Sequence, residues 1–145
     1  MGKKMKAKRR TRGDASKTPG SLLHRILVVE DDEDMRENLR RILVGARYEV
    51  RLARDGAEAM TLLESQPCHL VLTDLVMPGM GGLQLLTEIR RRERALPVVF
   101  LTAFGDRATY VKATEMGAVD FLMKPFRADV LLDMIQKILV DHPGS

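Results

Sequence analysis

Five short apolar runs alternate with stretches whose apolar residues recur at helical spacing, and this alternation constrains the fold more than any other feature. The runs are RILVVE (25–30), YEVRLA (48–53), HLVLTD (69–74), PVVFLT (97–102) and VDFLMK (119–124). Between the first two, Met35, Leu39, Ile42, Leu43 and Ala46 mark a helical stripe. Further helices are predicted over 55–66, 83–94 and 106–116, the last closed by Gly117. Leu131, Ile135, Ile138 and Leu139 mark a fifth. Asp34 followed by Glu37, and Asp55 followed by Glu58, have the spacing of capping boxes.

Strict strand-helix alternation argues for an α/β fold, a doubly wound parallel sheet with helices on both faces. RILVVE, HLVLTD and PVVFLT are nearly continuous apolar runs, as central parallel strands must be, whereas YEVRLA alternates and reads as a more exposed strand. The 145 residues suffice for one ordinary domain. No apolar run approaches the length of a membrane span, so no membrane insertion is expected. The single cysteine, Cys68, allows no internal disulfide and fits a reducing compartment such as the cytoplasm.

Charge divides the chain in two. Residues 1–20 carry eight Lys or Arg side chains against Asp14 alone, while the remainder carries sixteen basic and nineteen acidic side chains. Without apolar periodicity, residues 1–21 read as a basic, disordered N-terminal tail, joined near Thr18-Pro19-Gly20-Ser21 to a domain over 22–145. Eight cations can contact nucleic-acid phosphates, but with no aromatic residue for base stacking the contact would be non-specific.

Parallel strands bring their carboxyl ends to one edge, where such sheets bind ligands. That edge gathers Glu30, Asp31 and Asp32 after strand one, Asp74 at the end of strand three, Thr102 after strand four and Lys124 after strand five. Converging carboxylates repel each other. A hard divalent cation such as Mg2+ relieves that repulsion, and Mg2+ characteristically binds one or two carboxylates together with phosphate oxygens. A lysine ammonium serves as a point-charge phosphate ligand and a threonine hydroxyl donates one more hydrogen bond. These are the parts of a phosphoryl-transfer site whose nucleophile is a carboxylate.

Four segments, VVEDDEDMR, LTDLVMPGMGG, VVFLTAFGD and GAVDFLMKPF, stand in order and at a spacing that resembles the receiver domain of two-component response regulators, over roughly residues 24–140. The resemblance implies a flavodoxin-like, five-stranded sheet of order 2-1-3-4-5. It implies that Asp74 is the phosphoacceptor. Asp31 would contact Mg2+ directly, Glu30 through water, and the backbone carbonyl of Val76 would complete the protein ligands; Asp32 is a third acid beside them. Thr102 matches the switch hydroxyl, Phe121 the aromatic switch and Lys124 the phosphate-binding lysine, whose bond to Pro125 is usually cis in the family. Val76 and Phe104 stand where the family sets the lifetime of the aspartyl phosphate. Neither orients a water, which implies a long-lived signal.

The implied protein is a phosphoacceptor rather than an enzyme in its own right. A histidine kinase or histidine phosphotransfer protein would donate the phosphoryl group. Because the chain ends just after the fifth helix, it is expected to be a stand-alone receiver. Its output would reach a downstream protein through the face of helix four, strand five and helix five. His24, His69 and His142 lack metal-ligand spacing and are assigned no role. Arg90 to Arg92 and Arg94 read as a solvated helix end complementing the helix dipole.

Overall fold

The computed structural model describes residues 23–93, 95–103 and 107–141. The elements alternate as predicted: β1 (Arg25–Val29), α1 (Glu33–Gly45), β2 (Glu49–Ala53), α2 (Gly56–Ser65), β3 (Leu70–Asp74), α3 (Gly82–Arg92), β4 (Val98–Thr102), α4 (Arg107–Glu115), β5 (Asp120–Met123) and α5 (Ala128–Asp141). All four strand pairings are parallel, and the sheet order is β2-β1-β3-β4-β5. The basic segment, Phe104, Asp106 and His142 lie outside the described residues.

The strand sequences explain the layers. Side chains alternate across the sheet. Leu27, Val29, Val71, Val98 and Phe100 therefore enter one core with α2, α3 and α4. Ile26, Val28, Leu70, Leu72, Val99 and Leu101 enter another with α1 and α5. Both faces are covered, so β1, β3 and β4 are apolar along their centres, with polar residues only toward their ends. The edge strand β2 keeps Arg51 exposed, in agreement with its alternating sequence. No helix among the described residues is long and apolar enough to cross a membrane.

One helix start differs from expectation. The N-cap of α1 is Asp32, whose backbone is extended and whose side chain accepts from the Met35 backbone N–H at 2.8 Å. Asp34 already lies inside the first turn, where it complements the helix dipole instead of capping. At α2 Asp55 is the cap, and its Oδ1 accepts from the Glu58 N–H, while Glu58 Oε1 reaches back to the N–H of Arg54, one residue before the cap. After α4 the chain reverses at Gly117, where φ is +102°, a conformation that favours glycine.

Candidate functional site

The carboxyl ends of the strands bring the sequence-selected residues together. Glu30 leaves β1 with its N–H donating to Ala53 O at 3.0 Å, which holds it against the sheet. Its side chain is only 1% exposed. Glu30 Oε2 accepts from the Asp32 N–H at 3.1 Å, and Oε1 accepts from Lys124 Nζ at 2.8 Å. Asp74 ends β3 and is part-buried. Its Oδ1 accepts from the Leu75 N–H at 2.9 Å and its Oδ2 from Lys124 Nζ at 3.2 Å. Lys124 thus bridges two carboxylates that come from different strands.

Burial disfavours the Lys124 ammonium, but the hydrogen bond and charge of Glu30, reinforced by Asp74, outweigh it and raise its pKa above the ordinary lysine value. Its backbone is held as well: the Lys124 N–H donates to Thr102 O at 2.7 Å, and the Lys124–Pro125 bond is cis. Thr102 is buried at the end of β4.

Glu30, Asp31 and Asp74 each offer one carboxylate oxygen, and the three oxygens lie within 4.8 Å of one another. An all-oxygen anionic donor set of this kind fits a hard divalent cation. Asp32 stands apart from that set, its carboxylate engaged in capping α1. Val76 is 78% exposed on the loop after Asp74, whereas the next residue, Met77, is buried and anchors the loop to the core. Gly82 closes the loop. A Cβ there would stand 2.6 Å from Asp74 O and 2.8 Å from Phe100 Cε1, so only glycine lets α3 start this close to Asp74.

Phe121 lies half-buried between two rings. It stacks on Phe100 at 5.8 Å and meets Tyr110 of α4 edge-on at 4.6 Å. Sequence reading missed Tyr110, which carries no motif signal. It also misread Arg90. Instead of being a solvated helix end, Arg90 is half-buried and donates to the carbonyl oxygens of Glu93, Leu96 and Gly117. Its position four residues after Leu86, on the buried stripe of α3, was the available signal. His24 and His69, given no role, meet edge-on at 5.1 Å, and His69 Nδ1 accepts from the Arg25 N–H at 2.9 Å.

Comparison with known proteins agrees with this fold. The profile of the response regulator receiver domain matches residues 26–136. The response regulator protein FleR of Pseudomonas aeruginosa is 43% identical over 123 residues, which are 83% of this chain and 26% of FleR. The DNA-binding transcriptional regulator NtrC of Escherichia coli K12 is 38% identical over 114 residues, 79% of this chain and 24% of NtrC. The crystal structure of chemotaxis protein CheY4 of Vibrio cholerae superimposes with a TM-score of 0.78 at 28% identity, covering 81% of this chain and 99% of that one. This chain belongs to the response regulator receiver domain family. It spans about a quarter of the length of FleR and NtrC.

Proposed function

We propose that this domain accepts a phosphoryl group on Asp74 in a two-component phosphorelay. The carrying observation is the placement of Lys124 Nζ between Glu30 and Asp74 at the carboxyl edge of the sheet. In this reading the donor is a phosphohistidine of a cytoplasmic histidine kinase or histidine phosphotransfer protein. An Asp74 carboxylate oxygen forms the new bond to phosphorus, the phosphorus–nitrogen bond breaks, and the imidazole leaves with a proton. The domain assists this transfer and the later hydrolysis without turning over a separate substrate.

Glu30, Asp31, Asp74 and the carbonyl of Val76 would hold Mg2+, which neutralises charge on the phosphoryl oxygens when bound. Lys124 pairs with the incoming phosphoryl oxygens as a point charge. Thr102 donates a hydrogen bond to the same group, and Phe121 follows it. The resulting population shift is read by a downstream protein on the face of α4, β5 and α5. That face exposes Val111, Met123 and Val130.

The test is intact-mass measurement after incubation with acetyl phosphate. One phosphoryl adduct is expected in the presence of Mg2+, and none in Asp74→Asn or with the metal chelated. An undiminished adduct in Asp74→Asn overturns the reading.

A further inference from the structure

Among the helices with described packing, α4 is the least anchored. It buries only Ala113, whereas α3 and α5 each bury four residues. Burial therefore fixes α4 less firmly than the other helices, and Tyr110 adds two contacts. Its ring meets Phe121 edge-on, and its hydroxyl donates to Met123 Sδ at 3.0 Å.

Met123 has a particular place in the chain. It pairs with Thr102 in the β4–β5 register, and Phe121 pairs with Phe100 two residues before. These four residues share one face of the sheet, by the alternation of strand side chains. Met123 also directly precedes Lys124, whose N–H is bound to Thr102 O and whose Nζ is bound to Asp74. The thioether that Tyr110 holds and the ammonium that faces Asp74 thus belong to adjacent residues. The Lys124 backbone, bound to Thr102 O, is joined to Met123 by a single peptide bond.

We propose that Tyr110 and Met123 form a latch that ties α4 to β5 while Lys124 is paired with Glu30 and Asp74, and that phosphorylation of Asp74 releases it. The inference rests on the phosphoacceptor reading above. Phe121 offers no hydroxyl for a polar switch contact; Tyr110, on the neighbouring helix, supplies one. The latch stabilises the unphosphorylated arrangement, and phosphorylation must work against it. A contact made in only one of two states shifts the equilibrium by its own free energy, so removing it favours the other state.

The experiment uses the full chain labelled with 13C at the methionine methyls, with acetyl phosphate and Mg2+ as the probe. The Met123 methyl resonance is assigned by its loss in Met123→Leu. Tyr110→Phe keeps the ring and removes the hydroxyl. In the unphosphorylated protein it is expected to shift the Met123 resonance. In the wild type, phosphorylation is expected to shift the same resonance in the same direction. Tyr110→Phe and Met123→Leu are each expected to accept the phosphoryl group about threefold to tenfold faster than wild type, the range one released hydrogen bond allows. An adduct that forms with the Met123 methyl unmoved, or variants that phosphorylate at the wild-type rate, overturns the latch and leaves the phosphoacceptor reading standing. A wild type that forms no adduct overturns that reading and the latch with it.

Discussion

Lys124 Nζ lies 2.8 Å from Glu30 Oε1, joining residues 94 positions apart in sequence. Glu30 is almost fully buried, and a buried carboxylate is tolerated only when it is paired or metal-bound. Lys124 therefore supports the fold as well as facing Asp74. The linkage has a definite sign. The folded-state pKa of Lys124 is raised above its ordinary value of 10.5, so its contribution to stability is fully present below that pH. It is lost as pH rises through the folded-state value. The urea midpoint difference between wild type and Lys124→Met is expected to stay constant from about pH 8 to the ordinary lysine value and to shrink above it. A difference that grows with alkalinity would contradict this pairing.

Lys124→Ala is expected to slow phosphorylation by acetyl phosphate by about tenfold or more, whereas Lys112→Ala leaves it within about twofold. Lys112 is exposed on α4, with no part in the site. Time courses followed by intact mass, with urea melts run in parallel, separate a chemical effect from a folding one. Equal rates in the two variants would remove Lys124 from the site.

Gly82→Ala tests how closely α3 is drawn to Asp74. Its Cβ would meet backbone atoms of Asp74 and Leu75 at 2.6 and 2.9 Å, neither of which can rotate away. Overpacking of this kind is expected to cost about 1–3 kcal/mol. The displaced Asp74 should also accept phosphate more slowly. Urea unfolding and the phosphorylation rate give the two readouts.

Arg90 ties the end of α3 to the turn after α4 through its bonds to Leu96 O and Gly117 O, both at 2.7 Å. Arg90→Met keeps much of the aliphatic stem and leaves these carbonyls without their donor. The expected loss is about 1–3 kcal/mol. Arg90→Lys should recover only part of it, because an ammonium lacks the planar fork that reaches several carbonyls at once. Full recovery by lysine would show that charge, not geometry, matters at this position.

The lifetime of the aspartyl phosphate is expected to be long. Val76 and Phe104 stand at the two positions where the family resemblance places control of the attacking water, and neither side chain hydrogen-bonds one. Val76→Asn combined with Phe104→Glu should speed loss of phosphate by about tenfold or more, equivalent to roughly 1.4 kcal/mol of barrier. The measurement follows dephosphorylation in Mg2+ after donor removal, from equal starting levels. A wild type as fast as the double variant would show that these residues do not set the lifetime.

The residues that converge on the site were legible because they stand at the ends of apolar runs. A parallel sheet sends all such ends to one edge, whatever the details of packing. Strand direction alone groups Glu30, Asp74, Thr102 and Lys124. Alternation also determined that helices must cover both faces of the sheet. The strand order came from the resemblance, because alternation alone is compatible with more than one winding.

Other features needed tertiary structure. The choice of Asp32 over Asp34 as cap depends on where the backbone turns from extended to helical, and several acids in a row satisfy the same local pattern. Arg90 reads as a surface cation until the turn at Gly117, 27 residues away, brings a carbonyl to it. Tyr110 has no meaning in its own helix; only the β4–β5 register sets Phe121 and Met123 beneath it. Sequence by itself determined the alternating elements and the chemistry gathered at one edge of the sheet, since both follow from local periodicity and strand direction. Tertiary structure alone decided which polar groups meet across that framework, because hydrogen bonds act over about 3 Å and their partners come from segments far apart in the chain.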